Sequence, residues 1–508
     1  MALAGIPHQV RERSPTSVAQ WKQAATLTDG PAATDERASA VAEAEQAIRS
    51  AARRAGEILV RELLAMHGTL EHGDAAEVEG AIQRALQPVG RCLLEGVWSL
   101  QGHDRRPAAA PCCVHCEQPM RLVDAARPRR LSTIYGEGVT LPRPYYTCTK
   151  CHKGGAPGDA AWHLGPGKLS PALARIVAEG GARLAFEEAA GMLQRVLGIQ
   201  VDDNEIERTT ESMGLLVDAR AALRAESPAP EAPPDPGSDV LLMCADGGRV
   251  HAGGRWREAK CVAVAALGPE TVIDTETGRA RLRVGEKRFA ATITDSADFF
   301  ASRVRPLAED CGLRHPRVTK VVLLADGGPW IEKGWGTLGL PCSVTVVDIL
   351  DIRHFQEHIH ACADAVFGEH TAEAEAWARH WSVAIRKDGP DPLLQAVDEL
   401  HPETQEAQEH LRRFRAYIEV NAHRLDYPAF MAQSLPIGSG VVEAEVKVVV
   451  NQRAKRSGMR WSEAGAKAVL AFRALVLSAP RHLQAFWDTQ PQVNRLPLTL
   501  LPGSGRAA

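Results

Sequence analysis

Two apolar runs end in the same residues: Val240 to Ala245 leads into Asp246-Gly247-Gly248, and Val321 to Ala325 leads into Asp326-Gly327-Gly328. Short runs of β-branched and aliphatic residues bounded by turn signals predict buried strands, and the glycines let the backbone turn away sharply after each aspartate. Similar runs predict strands at Asp239–Ala245, Ala259–Leu267 and Phe289–Thr294, a helix from Ser296 to Cys311, and a strand at Val318–Ala325. A short helix from Pro329 and a strand at Ser343–Leu350 follow. From Asp351 to Leu435 the periodicity is helical, with Trp377, Trp381, Leu393, Leu394, Val397, Leu411, Phe414 and Tyr417 on the apolar stripe. After the glycine turn Gly438-Ser439-Gly440, a helical stretch from Val441 to Leu475 opens with Glu443.

Ahead of this region the pattern changes several times. Residues 1–35 are polar and weakly patterned, and Asp35 to Leu100 reads as two or three helices broken near His67-Gly68 and Gln87-Pro88-Val89-Gly90. Prolines, short runs and paired cysteines fill 104–165. Helical periodicity returns from Ser170 to Ala225, with a turn at Gly198-Ile199-Gln200-Val201 and a helix start near Asp203. Three short helices with glycine turns fit a helix-turn-helix, and equally a small helical subdomain. The proline-rich stretch Ser227 to Gly237 reads as a semi-rigid linker. The expected division is 1–103 helical, 104–165 a zinc ribbon, 166–226 helical, 227–238 linker, and 239–351 an α/β core. An all-α insertion at 352–435, a core helix at 436–478 and a tail at 479–508 complete it.

Composition narrows the class. The 508 residues are 45% hydrophobic and 24% charged, enough for several domains with sizeable cores. No apolar run approaches the ~18–20 residues of a membrane span, and the first residues lack a signal-peptide core, so a cytoplasmic protein is expected. Eleven cysteines, mostly single within apolar runs, fit a reducing compartment. A net charge of −4 means that any nucleic-acid binding must come from local patches.

Several groups of residues carry chemistry. Asp246, Asp326 and Glu443, at the ends of rigid elements, could hold two divalent cations about 3.5–4 Å apart, the arrangement that displaces phosphodiesters. Cys113-x-x-Cys116 and Cys148-x-x-Cys151 have the spacing of a closed tetrahedral zinc site, with Cys112, His115 and His152 as register alternatives. The arm between them is basic, with Arg129 and Arg130 as candidate phosphate contacts. Beyond Glu443, Arg453, Arg456 and Arg460 at i, i+3, i+7 predict a basic helical face, joined by Lys447 and Lys455. Lys260 precedes a strand beside Asp246 and could reach a phosphate. His354-Phe-Gln-Glu357-His358 spells the inverted zinc-peptidase motif, the competing reading from another enzyme class. Asp351 could equally be a helix N-cap with His354 as a satisfied neighbour.

The segments CADGG, WREAK, LLADGGPWI, ILDIRHFQEH, LPIGSGVVEAE and RSGMRWSEAGAKAVL occur in this order. Together they resemble the DDE transposases of the ISKra type of bacterial insertion sequences, from about Cys113 to Arg473. That resemblance implies an RNase H-like mixed sheet with an all-α insertion, preceded by helical segments and a zinc ribbon. It also implies a DDE triad at Asp246, Asp326 and Glu443, with Asp351-x-x-His354 resembling a D-x-x-H element of related transposases. The expected cofactors are two Mg²⁺ or Mn²⁺ ions and a structural Zn²⁺. The expected partners are double-stranded DNA, as transposon ends and target, and further copies of the chain on that DNA. A zinc-ribbon and helix-turn-helix regulator with an inactive core is the binding-module alternative.

Overall fold

The computed structural model describes residues 31–104, 110–165, 167–228, 231–273, 278–294, 296–438 and 446–489. Chain contacts divide the protein into two compact units, residues 1–158 and 159–508.

In the first unit, α1 (Pro31–Ala65), α2 (His67–His72) and α3 (Ala75–Asp104) precede a three-stranded antiparallel sheet of β1 (Met120–Thr133), β2 (Gly136–Cys148) and β3 (Gly154–Gly155). Small residues let α1 and α3 approach closely: Ala51, Ala55, Ala81 and Ala85 are buried. Gly96 faces Ala51 where a Cβ would come within 2.6 Å of it. The break expected at Gln87–Gly90 is absent, and α3 runs through Pro88. Tertiary contacts hold it there. Gly90 lies against the Tyr135 ring, Arg91 donates to the Tyr135 carbonyl at 3.2 Å, and Glu95 accepts from the Thr140 amide at 2.7 Å.

The second unit opens with α4 (Pro171–Arg183), α5 (Phe186–Leu197) and α6 (Asp203–Glu226). Ser170 and Asp202 cap α4 and α6, and left-handed Gly198 ends α5. A six-stranded mixed sheet follows, of β4 (Val240–Ala252), β5 (Arg255–Ile273), β6 (Ala280–Val284), β7 (Arg288–Thr292), β8 (Lys320–Ala325) and β9 (Thr345–Leu350). The order is β6-β5-β4-β8-β9. β4 and β5 are antiparallel, β8 and β9 join β4 in parallel, and β6 and β7 pair with successive stretches of the outer edge of β5. Sequence periodicity missed β6, a short edge strand without a continuous apolar run.

Helices cover both faces. Alternate residues Leu241, Met243, Ala245, Val321 and Leu323 pack on α7 (Ser296–Phe299, a π turn Phe300–Val304, and Arg305–Asp310) and on α8 (Pro329–Trp335). Leu242, Cys244, Val322, Leu324 and Ile349 pack on the opposite side. There lie α9 (Ile352–Phe367), α10 (Ala372–Asp388), α11 (Pro390–Asp398), α12 (Gln405–Asn421) and α13 (Tyr427–Ala432). Strands with both faces buried read as continuous apolar runs, which is why these were legible in sequence.

Two further expectations change. The single helix expected over Val441–Leu475 is split: a π turn at Lys447–Asn451 runs into α14 (Gln452–Ala454), the chain turns at 455–462, and α15 (Glu463–Leu477) starts afresh under a Ser462 cap. Gly458 is left-handed at the turn, and Trp461 is drawn into a bridge with Ala252. Nor does the proline-rich stretch separate compact units. Across it, Arg303 pairs with Asp218 at 2.7 Å and Arg224 with Glu309 at 3.3 Å, while α4, α6, α15 and α16 (Pro480–Asp488) share a core of Leu216, Phe472, Val476 and Phe486. Gly214 lies directly on the Ala468 backbone, with no room for a Cβ. Among the described residues, no helix is long and apolar enough to cross a membrane.

Candidate active site and metal centre

In the first unit, both cysteine pairs sit on tight turns that close in the same way. Cys113 accepts the Glu117 amide at 2.8 Å and donates to Gln118, while the Cys148 amide reaches Lys153 at 2.9 Å. Each turn is followed by a residue in the left-handed region, Glu117 (φ 59°) and His152 (φ 57°). The four thiols converge: Cys113 and Cys151 Sγ are 3.5 Å apart, as are Cys116 and Cys148, and all lie within 4.8 Å of one another. Tetrahedral Zn–S bonds of about 2.3 Å require sulfurs roughly 3.8 Å apart, so the set fits one ion and could hold a structural metal such as zinc. The Cys151 and Lys150 amides, both 3.4 Å from Cys148 Sγ, pull that thiol down to about 6. Cys113 is lowered chiefly by the His115 amide. At Cys116 the Gln118 amide acts downward, but the sulfur of Cys148 beside it leaves that thiol at about 11. Cys112, His115 and His152 are exposed and stand outside the cluster. Arg130 is exposed and Arg129 half-buried on the β1–β2 hairpin, opposite Thr140 and Leu141.

In the second unit, the parallel strands set three acids in one row. Ala245 pairs with Ala325 and Ala325 with Leu350, so Asp246, Asp326 and Asp351 each stand one step beyond the same rung of adjacent strands. All three line a cavity of about 730 Å³, together with Arg353, His354 and Glu357. The strand β4 does not end at Asp246, as the glycines suggested; it continues against β5 to Ala252, and only the pairing with β8 stops. Gly248 instead makes room for packing, since a Cβ there would come within 3.1 Å of Val446. At the second site the expected turn is present: Gly327 is left-handed (φ 76°) and a Cβ there would meet Leu350 at 2.9 Å. The Gly247 amide donates to Asp246 at 2.6 Å and the Gly328 amide to Asp326 at 2.9 Å, which orients both carboxylates. Asp351 is buried and caps α9, accepting the Arg353 amide at 2.7 Å. Arg424, also buried, braces the row from behind through Asp348 at 3.0 Å and Asn421 at 3.0 Å.

Glu443 lies outside the described residues. Val446, close after it in sequence, packs over Gly248, close after Asp246. The acids span the cavity rather than converge on a point: among the described residues, only the four cysteines bring three or more ligand atoms within 4.8 Å of one another. All-oxygen donors of this kind suit Mg²⁺ or Mn²⁺. His354 and His358 face each other, Nε2 to Nε2 at 3.2 Å, but Glu357 is largely exposed and no third ligand joins them among the described residues. Burial, then the neighbouring His354, lowers the pKa of His358.

The basic residues separate into different roles. Arg453 is no surface residue. It is 1% exposed, stacked between the Phe186 and Trp461 rings at 4.5 and 4.8 Å, and donates to the Gly181 carbonyl at 2.9 Å. The expected stripe fails because helical geometry ends at Ala454, so Arg453, Arg456 and Arg460 do not share a helical face. Arg456 forms a two-pronged pair with Glu188 at 2.5 and 2.6 Å, which holds that carboxyl at about 2. Lys447, Lys455 and Arg460 are exposed. Lys260 is buried and donates to the Thr294 carbonyl at 2.7 Å beside the Trp330 ring, so it serves the fold. Sequence reasoning ranked Asp351 as accessory and missed its equivalence with Asp246 and Asp326. Its signal was an acid just after a third apolar run. Compared with known proteins, the chain matches no family model and no curated protein.

Proposed function

We propose that the chain is a DDE-type transposase that binds insertion-sequence ends and carries out metal-dependent cleavage and strand transfer of DNA. The observation that carries this reading is the single row of Asp246, Asp326 and Asp351 across β4, β8 and β9, opening into one cavity. Further support comes from the sheet: antiparallel strands leading to a central β4, with two parallel strands on its other side, suit an RNase H-like core. Two Mg²⁺ or Mn²⁺ ions would supply charge stabilisation for the attacking and leaving oxygens of an in-line displacement. Asp246 and Asp326, oriented by their glycine amides, would hold them, with Glu443 as the third catalytic acid. Asp351, backed by Arg424, either joins that set or fixes the start of α9, which presents His354 to the cavity.

The test is cleavage of a labelled duplex carrying the element's own end, in Mg²⁺ or Mn²⁺. Asp326→Asn keeps size and most hydrogen bonding but removes a charge the cations need. It should lower cleavage by roughly 10²–10³-fold or more while end binding persists. Cleavage at the wild-type rate by this variant would end the assignment.

A further inference from the structure

Beyond the rung where β8 stops pairing, the β4–β5 hairpin continues with one face packed, through Val250 and Ala259, on Val449, Val450 and Ala454. At about 3.4 Å per residue it carries its tip roughly 20 Å past Asp246. The tip is rigid. Gly253 and Gly254 are both left-handed (φ 61° and 77°), which closes a two-residue turn between Ala252 and Arg255. The turn at 455–462 is laced to it: the Trp461 amide donates to the His251 carbonyl at 3.1 Å and the Gly253 amide to the Trp461 carbonyl at 2.9 Å.

What this tip presents is unusual for a surface. Trp256 is 59% exposed, held only edge-on against the His251 ring at 5.6 Å. Around it, Arg249, Arg255, Lys455 and Arg460 are exposed, and among the described residues none of these four forms an ion pair. Of the nearby acids, Glu463 pairs with Arg257 and Glu188 with Arg456, while exposed Glu258 stands opposite Arg249 in the β4–β5 register, so the cations clear of an acid are Arg255, Lys455 and Arg460. An exposed indole among unpaired cations has the chemistry of a nucleic-acid surface, where guanidinium groups meet phosphates and the ring stacks on a base.

We infer that the β4–β5 hairpin tip with the turn 455–460 is a DNA-contacting surface that grips the duplex flanking the cleaved bond. On this inference, which rests on the transposase reading, Trp256 stacks on a base left unpaired beside the cut and Arg255 and Arg460 contact phosphates. With one base pair per 3.4 Å, a reach of roughly 20 Å places these contacts on the order of six base pairs from the bond at Asp246.

Stacking and ionic contacts respond differently to salt, so two substitutions separate them. The probe is a fluorescent duplex of about 30 base pairs with a short single-stranded tail, of unrelated sequence, titrated with full-length protein over a range of KCl. Trp256→Ala should weaken binding roughly five- to 100-fold with the salt dependence unchanged, and Trp256→Phe should keep most of the affinity. Arg255→Ala combined with Arg460→Ala should reduce the slope of log affinity against log salt by about 2. Wild-type affinity in Trp256→Ala, with its unfolding temperature unchanged, would overturn the inference. So would a loss of self-association in that variant without a loss of DNA binding, which would make the tip a protein contact. Failure of wild-type protein to bind any duplex would overturn the transposase reading along with it, whereas cleavage lost in Asp326→Asn together with wild-type affinity in Trp256→Ala would overturn the tip assignment alone.

Discussion

At the scale of single residues, burial decides what a charge does. Arg453 and Arg456 are separated by two positions and look equivalent in sequence, yet one lies between two aromatic rings and the other pairs with Glu188 at the surface. Desolvation, and then the neighbouring Arg473 and Arg456, lower the pKa of Arg453 to about 10. Its stacking and its bond to Gly181 tie the start of α5 and the end of α4 to the chain after Glu443. Arg453→Met should therefore lower stability by about 2–4 kcal/mol, from a desolvated cation–π contact and a charge-assisted hydrogen bond. The salt dependence of DNA binding should not change. Thermal unfolding and a salt titration of the same variant check both halves, and a reduced salt slope would restore the phosphate-contact role expected from sequence.

At the scale of elements, docking is set by a few polar bonds at the ends of apolar faces. The helix α16 packs Leu483 and Phe486 into the core shared with α4, α6 and α15. Its His482 Nε2 accepts a hydrogen bond from Arg288 at 2.6 Å, which requires a neutral imidazole. Burial, then Arg288 and Arg481, push the pKa of His482 down from 6.5 to about 4. A group with a depressed folded-state pKa binds fewer protons when folded, so the unfolded state gains as pH falls. Stability from this contact should be complete above about pH 6.5 and lost progressively toward pH 4. His482→Gln, which retains an acceptor but cannot titrate there, should flatten that part of the curve. Chemical denaturation at several pH values measures it, and an unchanged profile in the variant would remove His482 as the cause.

At the scale of the whole molecule, two compact units carry separate centres: the four thiols in residues 1–158 and the row of acids in 159–508. A closed metal site contributes its binding free energy to folding, so the first unit should depend on the ion and the second should not. Chelation, or Cys148→Ser, should lower the unfolding temperature of one calorimetric transition and leave the other in place, with metal analysis showing the loss of one zinc per chain. A wild-type protein that carries no zinc when purified without chelator would end the structural-zinc assignment. The α1–α3 packing and the bonds of Arg91 and Glu95 to the hairpin place these helices in the metal-dependent transition.

The sequence by itself determined the elements whose signal is local. Strands buried on both faces are continuous apolar runs, paired cysteines two residues apart are already half a metal site, and an aspartate closing an apolar run marks the end of the buried stretch, with a turn after Asp326 but not after Asp246. For that reason the strands β4, β5, β7, β8 and β9, the helices after Asp351, the pairing of the four thiols, and the places of Asp246 and Asp326 beside β4 and β8 were legible from residue order alone. Tertiary structure decided whatever depends on distant neighbours. Parallel register put Asp351 level with the other two acids, although a lone acid before a helix reads as a cap. Packing on Val446 made Gly248 part of a longer strand, and docking carried α3 through Pro88. The Trp461 bridge broke the long helix and turned three arginines with helical spacing into a buried brace, an ion pair and a surface charge. Hydrophobic period and ligand spacing are written along the chain, whereas register, burial and the fate of each charge depend on which segments the fold brings alongside.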